Sequence, residues 1–458
     1  QFVMNKNAKQ SFRQSLAPRP LWRKPWFYLA ILVVGVLVLV GLYQIPSIHD
    51  RAYFHLASAR AKIYYFFRPP GAEVFEPSQQ GTLDAGVLAT LTAMAPSPTI
   101  TQQPTHTPTL EPTAEFTATS TITPTATITP TPLPPLPASA LIEGVEPEIQ
   151  GFNNCGPTNL AMALRFWGWE GNQKTTEAVL KPFIKDRNVM PYEMLGYVQE
   201  HTELNGIVRY GGDLDLVKRL VSSGFPVIIE RGYIDRHEGW MGHYGLIVGY
   251  DDKLQEVTIP DTYLGMIKMS YDDITRYWEQ FDRIYLVLFP YERQQEVYDI
   301  LGAQMDSQYN KEYTLDLVSS QIYAREGLDQ FFVWYSRGSI CVELNDYLCA
   351  GESYDEAFRV YATLKEEERP WRILWYQTGP YYAYFYLQRY QDLYNLTKQT
   401  LDKTPEDAIP ETWVWKGRAE VKLGLRDQAI ESFKQALYWH PNWWVAVDEL
   451  TSLGEKVN

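Results

Sequence analysis

The sequence predicts two folded regions, an α+β domain over residues 140–292 and an all-α region of helical repeats over 293–458. An N-terminal transmembrane helix and a disordered Thr/Pro stalk precede them. Three observations carry this. First, helical apolar spacing after Cys155 gives way to strand-like runs at 225–230, 243–250, 256–260 and 283–289, a helix first and strands later. Second, Trp413, Gly417, Gly424, Ala429, Phe433, Ala436 and Pro441 follow the spacing of a helix–turn–helix repeat. Third, the run from Pro25 to Ile48 carries no charge.

That run is long enough to cross a bilayer, which takes about 20 apolar residues. Trp22, Trp26, Phe27, Tyr28 and Tyr43 flank it as interface aromatics. Residues 1–24 are expected on the cytoplasmic side, because no Lys or Arg occurs from Pro69 to Leu164, as suits an exported segment. Residues 49–95 form a juxtamembrane segment, whose part 50–68 reads as an aromatic, basic helix. From 96 to 137 the chain is Thr, Pro and Ala, with too little apolar bulk to fold. In polyproline conformation it could reach on the order of 100 Å, as a stalk.

In the repeat region, residues 351–364 reuse the second-helix pattern through Ala357 and Tyr361, and a further unit ends at Pro405. About three such units bury a continuous core. The net charge of −14 and the lack of a basic stripe argue against nucleic acid as a partner. Three cysteines make no disulfide framework. Cys341 and Cys349, read within one helical pattern, would lie roughly 12 Å apart along the axis, too far to bridge. They are expected to be buried hydrophobes.

Cys155 stands before Gly156-Pro157 at the start of a helix. Proline suits the first helical turn, and the positive helix end favours a thiolate. A nucleophilic thiol needs a base. His49, His55, His106 and His440 lie beside the membrane, in the stalk or in a repeat; His201, His237 and His243 belong to the α+β domain. His243, after a glycine turn at the start of an apolar strand, is best placed. Asp261 closes the next strand and could orient the ring if the two strands pair, with Asp251 and Asp252 as rivals in a turn. Gln150 could offer an amide to a developing oxyanion beside the Cys155 N–H. Gly211-Gly212 reads as a turn and residues 213–216 as a capped helix start, not a metal site. No cofactor is expected.

The order Gln150, "CGP" at 155–157, "GHY" at 242–244 and "IPD" at 259–261 resembles the C39-like, papain-fold cysteine peptidases over about residues 145–290. The repeats resemble tetratricopeptide repeats. The resemblance implies that Gln150 is the oxyanion residue, Cys155 the nucleophile, His243 the general base and Asp261 the orienting residue. It implies a membrane-anchored, extracytoplasmic thiol hydrolase of peptide or amide bonds, its repeats binding a substrate or protein partner. Many relatives carry Asp before the Cys, where this chain has Asn154. The double-glycine leader peptides cut by the founding members are not carried over, since no transporter domain is present. Two alternatives use the same features: a catalytically silent scaffold working through its repeats, and a thiol-dependent peptidyl transferase.

Overall fold

The computed structural model describes residues 25–45, 56, 59–78, 134–183, 185–235 and 239–457. It forms two compact units, Gln1–Phe67 and Arg68–Asn458. In the first, helix α1 (Pro25–Tyr43) has apolar side chains all round, and Trp26–Tyr43 has a mean hydropathy of 2.5. That length and composition are enough to cross a bilayer. Residues 59–67 are helical, part of the basic segment expected over 50–68. Residues 1–24, and the Thr/Pro segment up to 133, lie outside the described residues, as do His49, His55, His106 and His237.

The second unit opens with strand β1 (Ser139–Leu141), then helices α2 (Cys155–Phe166), α3 (Gln173–Leu180) and α4 (Pro191–His201). In α2, Leu160, Ala161, Met162, Ala163 and Leu164 are buried in the domain core, so this helix is a central packing element. It ends where Gly168 takes a left-handed φ of 87°. Strand β2 (Leu204–Arg209) follows, then helix α5 (Leu214–Ser222), capped by the Asp213 side chain on the Leu216 N–H. Next come strands β3 (Val227–Asp235), β4 (Gly239–Ile247), β5 (Gly249–Asp251), β6 (Glu256–Asp261) and β7 (Gly265–Ser270). Helix α6 (Tyr271–Glu279) and strand β8 (Tyr285–Pro290) complete the domain. Two four-stranded antiparallel sheets result, ordered β1-β5-β6-β7 and β2-β8-β3-β4.

The run expected as one strand over 243–250 is two. The chain leaves one sheet at Ile247 and enters the other at Gly249, with the Val248 N–H donating to the Thr258 carbonyl at 3.0 Å. His243 therefore sits mid-strand, not at a strand start, and β4 and β6 are not ladder neighbours. Strands β2 and β7 have weak sequence signals. One contains Asn205-Gly206, a turn-like pair, and the other is an edge strand with alternating exposure.

The remaining helices are α7 (Gln294–Leu301), α8 (Ser307–Gln321), α9 (Gly327–Glu343), α10 (Tyr347–Thr363), α11 (Gly379–Tyr386), α12 (Tyr390–Asp402), α13 (Pro410–Lys422), α14 (Arg426–Trp439) and α15 (Trp444–Ser452). In the pair α13–α14, Gly417 lies under the Phe433 ring, where a Cβ would come within 2.5 Å of it. Cys341 and Cys349 belong to two helices, not one. The chain turns back at Asn345, with φ of 60°, and brings their Cα atoms to 5.8 Å in a disulfide. The expectation of unbridged cysteines is corrected by that turn.

Two further contacts matter. The extended segment 71–78 lies on the helical region. Phe75 is buried edge-on against Phe358, 5.1 Å between ring centres. Arg369 donates to the Gly71 carbonyl at 2.6 Å, Lys403 to that of Glu73 at 3.1 Å, and Asp392 accepts from the Ser78 N–H at 3.1 Å. The helical region also packs against the α+β domain. Trp240 and Phe281 enter its aromatic core beside Phe332, and Phe183 packs on Trp439. Arg187 lies 4.6 Å from the Trp375 ring centre.

Candidate active site

Cys155 is the first residue of α2 and the one free cysteine. Its loop is held by buried polar side chains. The Gln173 carbonyl oxygen accepts from the Gly151 N–H at 2.7 Å and from the Asn154 amide at 2.9 Å, while its own amide donates to the Ile149 carbonyl. Lys181, almost fully buried, donates to the carbonyls of Phe152 and Asn153, each at 2.9 Å. Asn153 takes a left-handed φ of 48°, which Asn tolerates better than most side chains. Asn154 thus braces the loop through its amide, a role that suits Asn at this position.

Strand β4 meets the first turn of α2 at residues 243 and 244. Asn159 donates to the carbonyls of both Cys155 and Tyr244, at 2.9 and 3.2 Å. The backbone N–H of Tyr244 interacts with the Cys155 sulfur. His243, one residue earlier, has its Nε2 3.1 Å from Oδ2 of Asp261. The other Asp261 oxygen accepts from the N–H groups of Tyr263 and Leu264 at 2.8 and 3.1 Å, which fixes the carboxylate after β6. Asp261 therefore reaches the ring across the gap between the two sheets. The Tyr263 ring stacks on the His243 ring at 5.1 Å.

Gln150 is tied to the same corner. Its N–H donates to the Thr262 carbonyl at 2.9 Å, its Oε1 accepts from the Thr262 hydroxyl, and its Nε2 donates to the Tyr263 hydroxyl at 3.2 Å. The structure thus joins His243 to Asp261, ties the next residue, Tyr244, to Cys155 through the Asn159 amide, and places Gln150 beside Tyr263. The rivals are elsewhere: Asp251 caps the turn after β5, Asp252 pairs with Lys218, and His201 ends α4 against Tyr197.

Sequence reasoning missed Arg231, Glu230, Gln173 and Lys181. Arg231 lies opposite His243 in the β3–β4 ladder, fully buried, and donates to Asp261 Oδ2 at 3.3 Å. Glu230 lies opposite Tyr244 and is equally buried. The only signal for either was a charged residue directly after the apolar run 225–229.

Burial raises the Cys155 thiol and the Glu230 carboxyl adds to this, against the backbone N–H of Tyr244 and the Lys181 charge. Burial lowers His243, Asp261 opposes that, and Arg231 reinforces it. Asp261 is buried, which alone would raise it, but the His243 hydrogen bond and the Arg231 charge hold it at about 2. By these directions the thiol and the imidazole each favour the neutral form, and the Asp261 carboxyl the ionised form. Burial acts against the helix-end stabilisation of a thiolate expected from the sequence.

Residues 142–288 match the family model described as Peptidase_C39 like family. This region is a C39-like cysteine peptidase domain. Residues 410–442 match a tetratricopeptide-repeat model and coincide with the pair α13–α14. Among solved structures, one described as a C39-like peptidase from Bacillus anthracis is 15% identical, covering 33% of this chain and 97% of its own, with a TM-score of 0.28. The peptidase domain of Streptococcus ComA, a bi-functional ABC transporter, is 14% identical over 32% of this chain and 99% of its own, with a TM-score of 0.26. Xylellain, a cysteine protease from Xylella fastidiosa, is 15% identical over 34% and 87%, with a TM-score of 0.28. No curated protein matches the chain in sequence. The C39-like domain thus occupies about a third of the chain, and the helical region follows it.

Proposed function

We propose that the chain is a membrane-anchored extracytoplasmic thiol peptidase in which Cys155, His243, Asp261 and Gln150 act together. One relationship carries the reading. The strand whose Tyr244 carbonyl shares the Asn159 amide with that of Cys155 also carries His243, whose Nε2 is held by Asp261. That leaves Nδ1 of His243 to receive the thiol proton. The thiolate then attacks the substrate carbonyl carbon. The Cys155 N–H and the Gln150 amide donate to the resulting oxyanion, once Gln150 turns from the Tyr263 hydroxyl. Collapse breaks the C–N bond, and His243 gives its proton to the leaving amine. Water, deprotonated by His243, hydrolyses the acyl-enzyme and restores the thiol.

Asp261 stabilises the imidazolium that forms transiently, and its low pKa keeps it ionised throughout the working range. The Cys341–Cys349 disulfide favours an oxidising compartment, as does the stretch without Lys or Arg from Pro69 to Leu164. The repeats would recruit a protein partner or substrate, through exposed aromatics such as Tyr438 and Trp444.

The test is cleavage of a random peptide library by the full chain in detergent, read by mass spectrometry. New termini that vanish in Cys155→Ala and in His243→Ala support the reading. No Cys155-dependent product, with a folded protein, removes it. For topology, protease added to intact cells should digest the 140–458 region; if that region survives while exported controls are cut, the outward orientation is wrong.

A further inference from the structure

Strand β4 is an edge of its sheet. An edge strand offers unpaired N–H and C=O groups that an extended peptide can join as an added strand. In β4 the residues whose backbone groups face away from β3 are Trp240, Gly242 and Tyr244. The last is taken by the peptidase domain itself, through Cys155 and Asn159. The other two are taken by the helical region. Arg372 donates to the Trp240 carbonyl at 3.3 Å, and the Tyr376 ring lies against Gly242.

These contacts are tightly built. Tyr376 packs edge-on against Trp240 and Phe281, with ring centres 5.9 and 6.0 Å away. It approaches Gly242 so closely that a Cβ there would lie 2.8 Å from the Tyr376 ring. Arg372 is buried and stacked on Trp371, 4.0 Å from its ring centre. Along a strand, two residues span roughly 6.6 Å. Gly242, where Tyr376 packs, is thus one edge position from Tyr244, whose carbonyl shares the Asn159 amide with that of Cys155.

We propose that Tyr376, with Arg372, is a bar across one side of the active site, and that Tyr376 is a specificity-determining residue supplied by the helical region. A substrate chain cannot continue along the β4 edge past Gly242. On that side of the scissile carbonyl the site accepts only a short or small group, so an extended peptide must approach and leave on the other side. This rests on Cys155 being the reacting thiol, as proposed above.

The experiment uses the full chain in detergent and two thiol reagents, iodoacetamide and a fluorescein maleimide, with labelling at Cys155 read by mass spectrometry. The quantity of interest is the ratio of the bulky to the small reagent's rate. Tyr376→Ala should raise that ratio by about tenfold or more. Tyr376→Phe, which keeps the ring, should leave it within about twofold. If Tyr376→Ala folds poorly, Tyr376→Leu retains apolar contact with Trp240 and Phe281 while removing the ring, and should also raise the ratio. An unchanged ratio in a folded Tyr376→Ala or Tyr376→Leu variant overturns the proposal. The iodoacetamide rate with and without His243→Ala reports separately on the reactive pair, so the peptidase reading can fail while the bar stands, or the reverse.

Discussion

Arg231 and His243 face each other across β3 and β4 and both reach Oδ2 of Asp261, at 3.3 and 3.1 Å. The carboxylate is therefore shared between a permanent cation and a titratable one. Arg231 disfavours the imidazolium that the proposed mechanism asks of His243. Replacing it with Gln should raise the His243 pKa and move the acid limb of kcat/KM upward by on the order of one pH unit. A pH–rate profile checks this. The same variant should lose about 3–5 kcal/mol of stability, because a buried ion pair is broken.

The neutral resting pair predicts an alkaline thiol. Iodoacetamide labelling of Cys155 should climb with pH through and beyond the ordinary thiol range of about 8–9, without a fast plateau at neutral pH. A rate that is high and flat between about pH 6 and 8 would show a preformed thiolate and refute the neutral pair.

Gln173 holds the nucleophile loop through one carbonyl oxygen shared by Gly151 and Asn154. Gln173→Ala should cost about 1–3 kcal/mol from the unpaired buried donors it leaves. It should also lower kcat/KM by up to about a hundredfold through misplacement of Cys155. Denaturant melts and peptide turnover separate the two effects. If activity falls no more than stability explains, the positioning role is absent.

Stability should peak at mildly acid pH. Burial pushes Asp186 up to about 6 and Glu193 and Asp282 up to about 7, and raises Glu230 and Glu411 well above the carboxylate range. These groups bind protons more tightly folded than unfolded. Their contribution is complete below the unfolded pKa of about 4 and is lost as pH rises through the folded values. His243 and His440, lowered by burial, act in the opposite sense below about 6.5, but they are fewer. The thermal midpoint is expected to be higher near pH 5 than near pH 8; the reverse order would contradict these shifts.

The Cys341–Cys349 bridge closes the α9–α10 hairpin. Changing both cysteines to Ser should lower stability by about 2–4 kcal/mol, measured by denaturant unfolding, and leave the labelling of Cys155 unaltered.

Local chemistry in the sequence was enough to single out Cys155 and His243 as candidates, because a Gly-Pro helix start and a His in an apolar run are short-range signals. It also pointed to the contact between Asp261 and His243, though through a strand pairing that does not exist. The two strands lie in different sheets, and the carboxylate reaches the ring across the gap. What stayed hidden depends on long-range contact. Arg231 and Glu230 look like the polar end of a strand until the β3–β4 ladder sets them opposite His243 and Tyr244. Cys341 and Cys349 looked unbridgeable because the turn at Asn345 was read as helix. The repeats were legible at Gly417 and Phe433, yet nothing local to Tyr376 marked it as a neighbour of the thiol.

The docking of residues 71–78 on the helical region changes how the Thr/Pro run is wired into the chain. That run leaves the second unit after Ser78 and rejoins it at β1, so both ends are fastened to one body. It is connected in parallel with that body, not in series between it and the apolar helix. Between the apolar helix and the docked segment the chain has the stretch between Tyr43 and Gly71. Insertions or deletions among the Thr/Pro repeats would leave the length of that stretch unchanged.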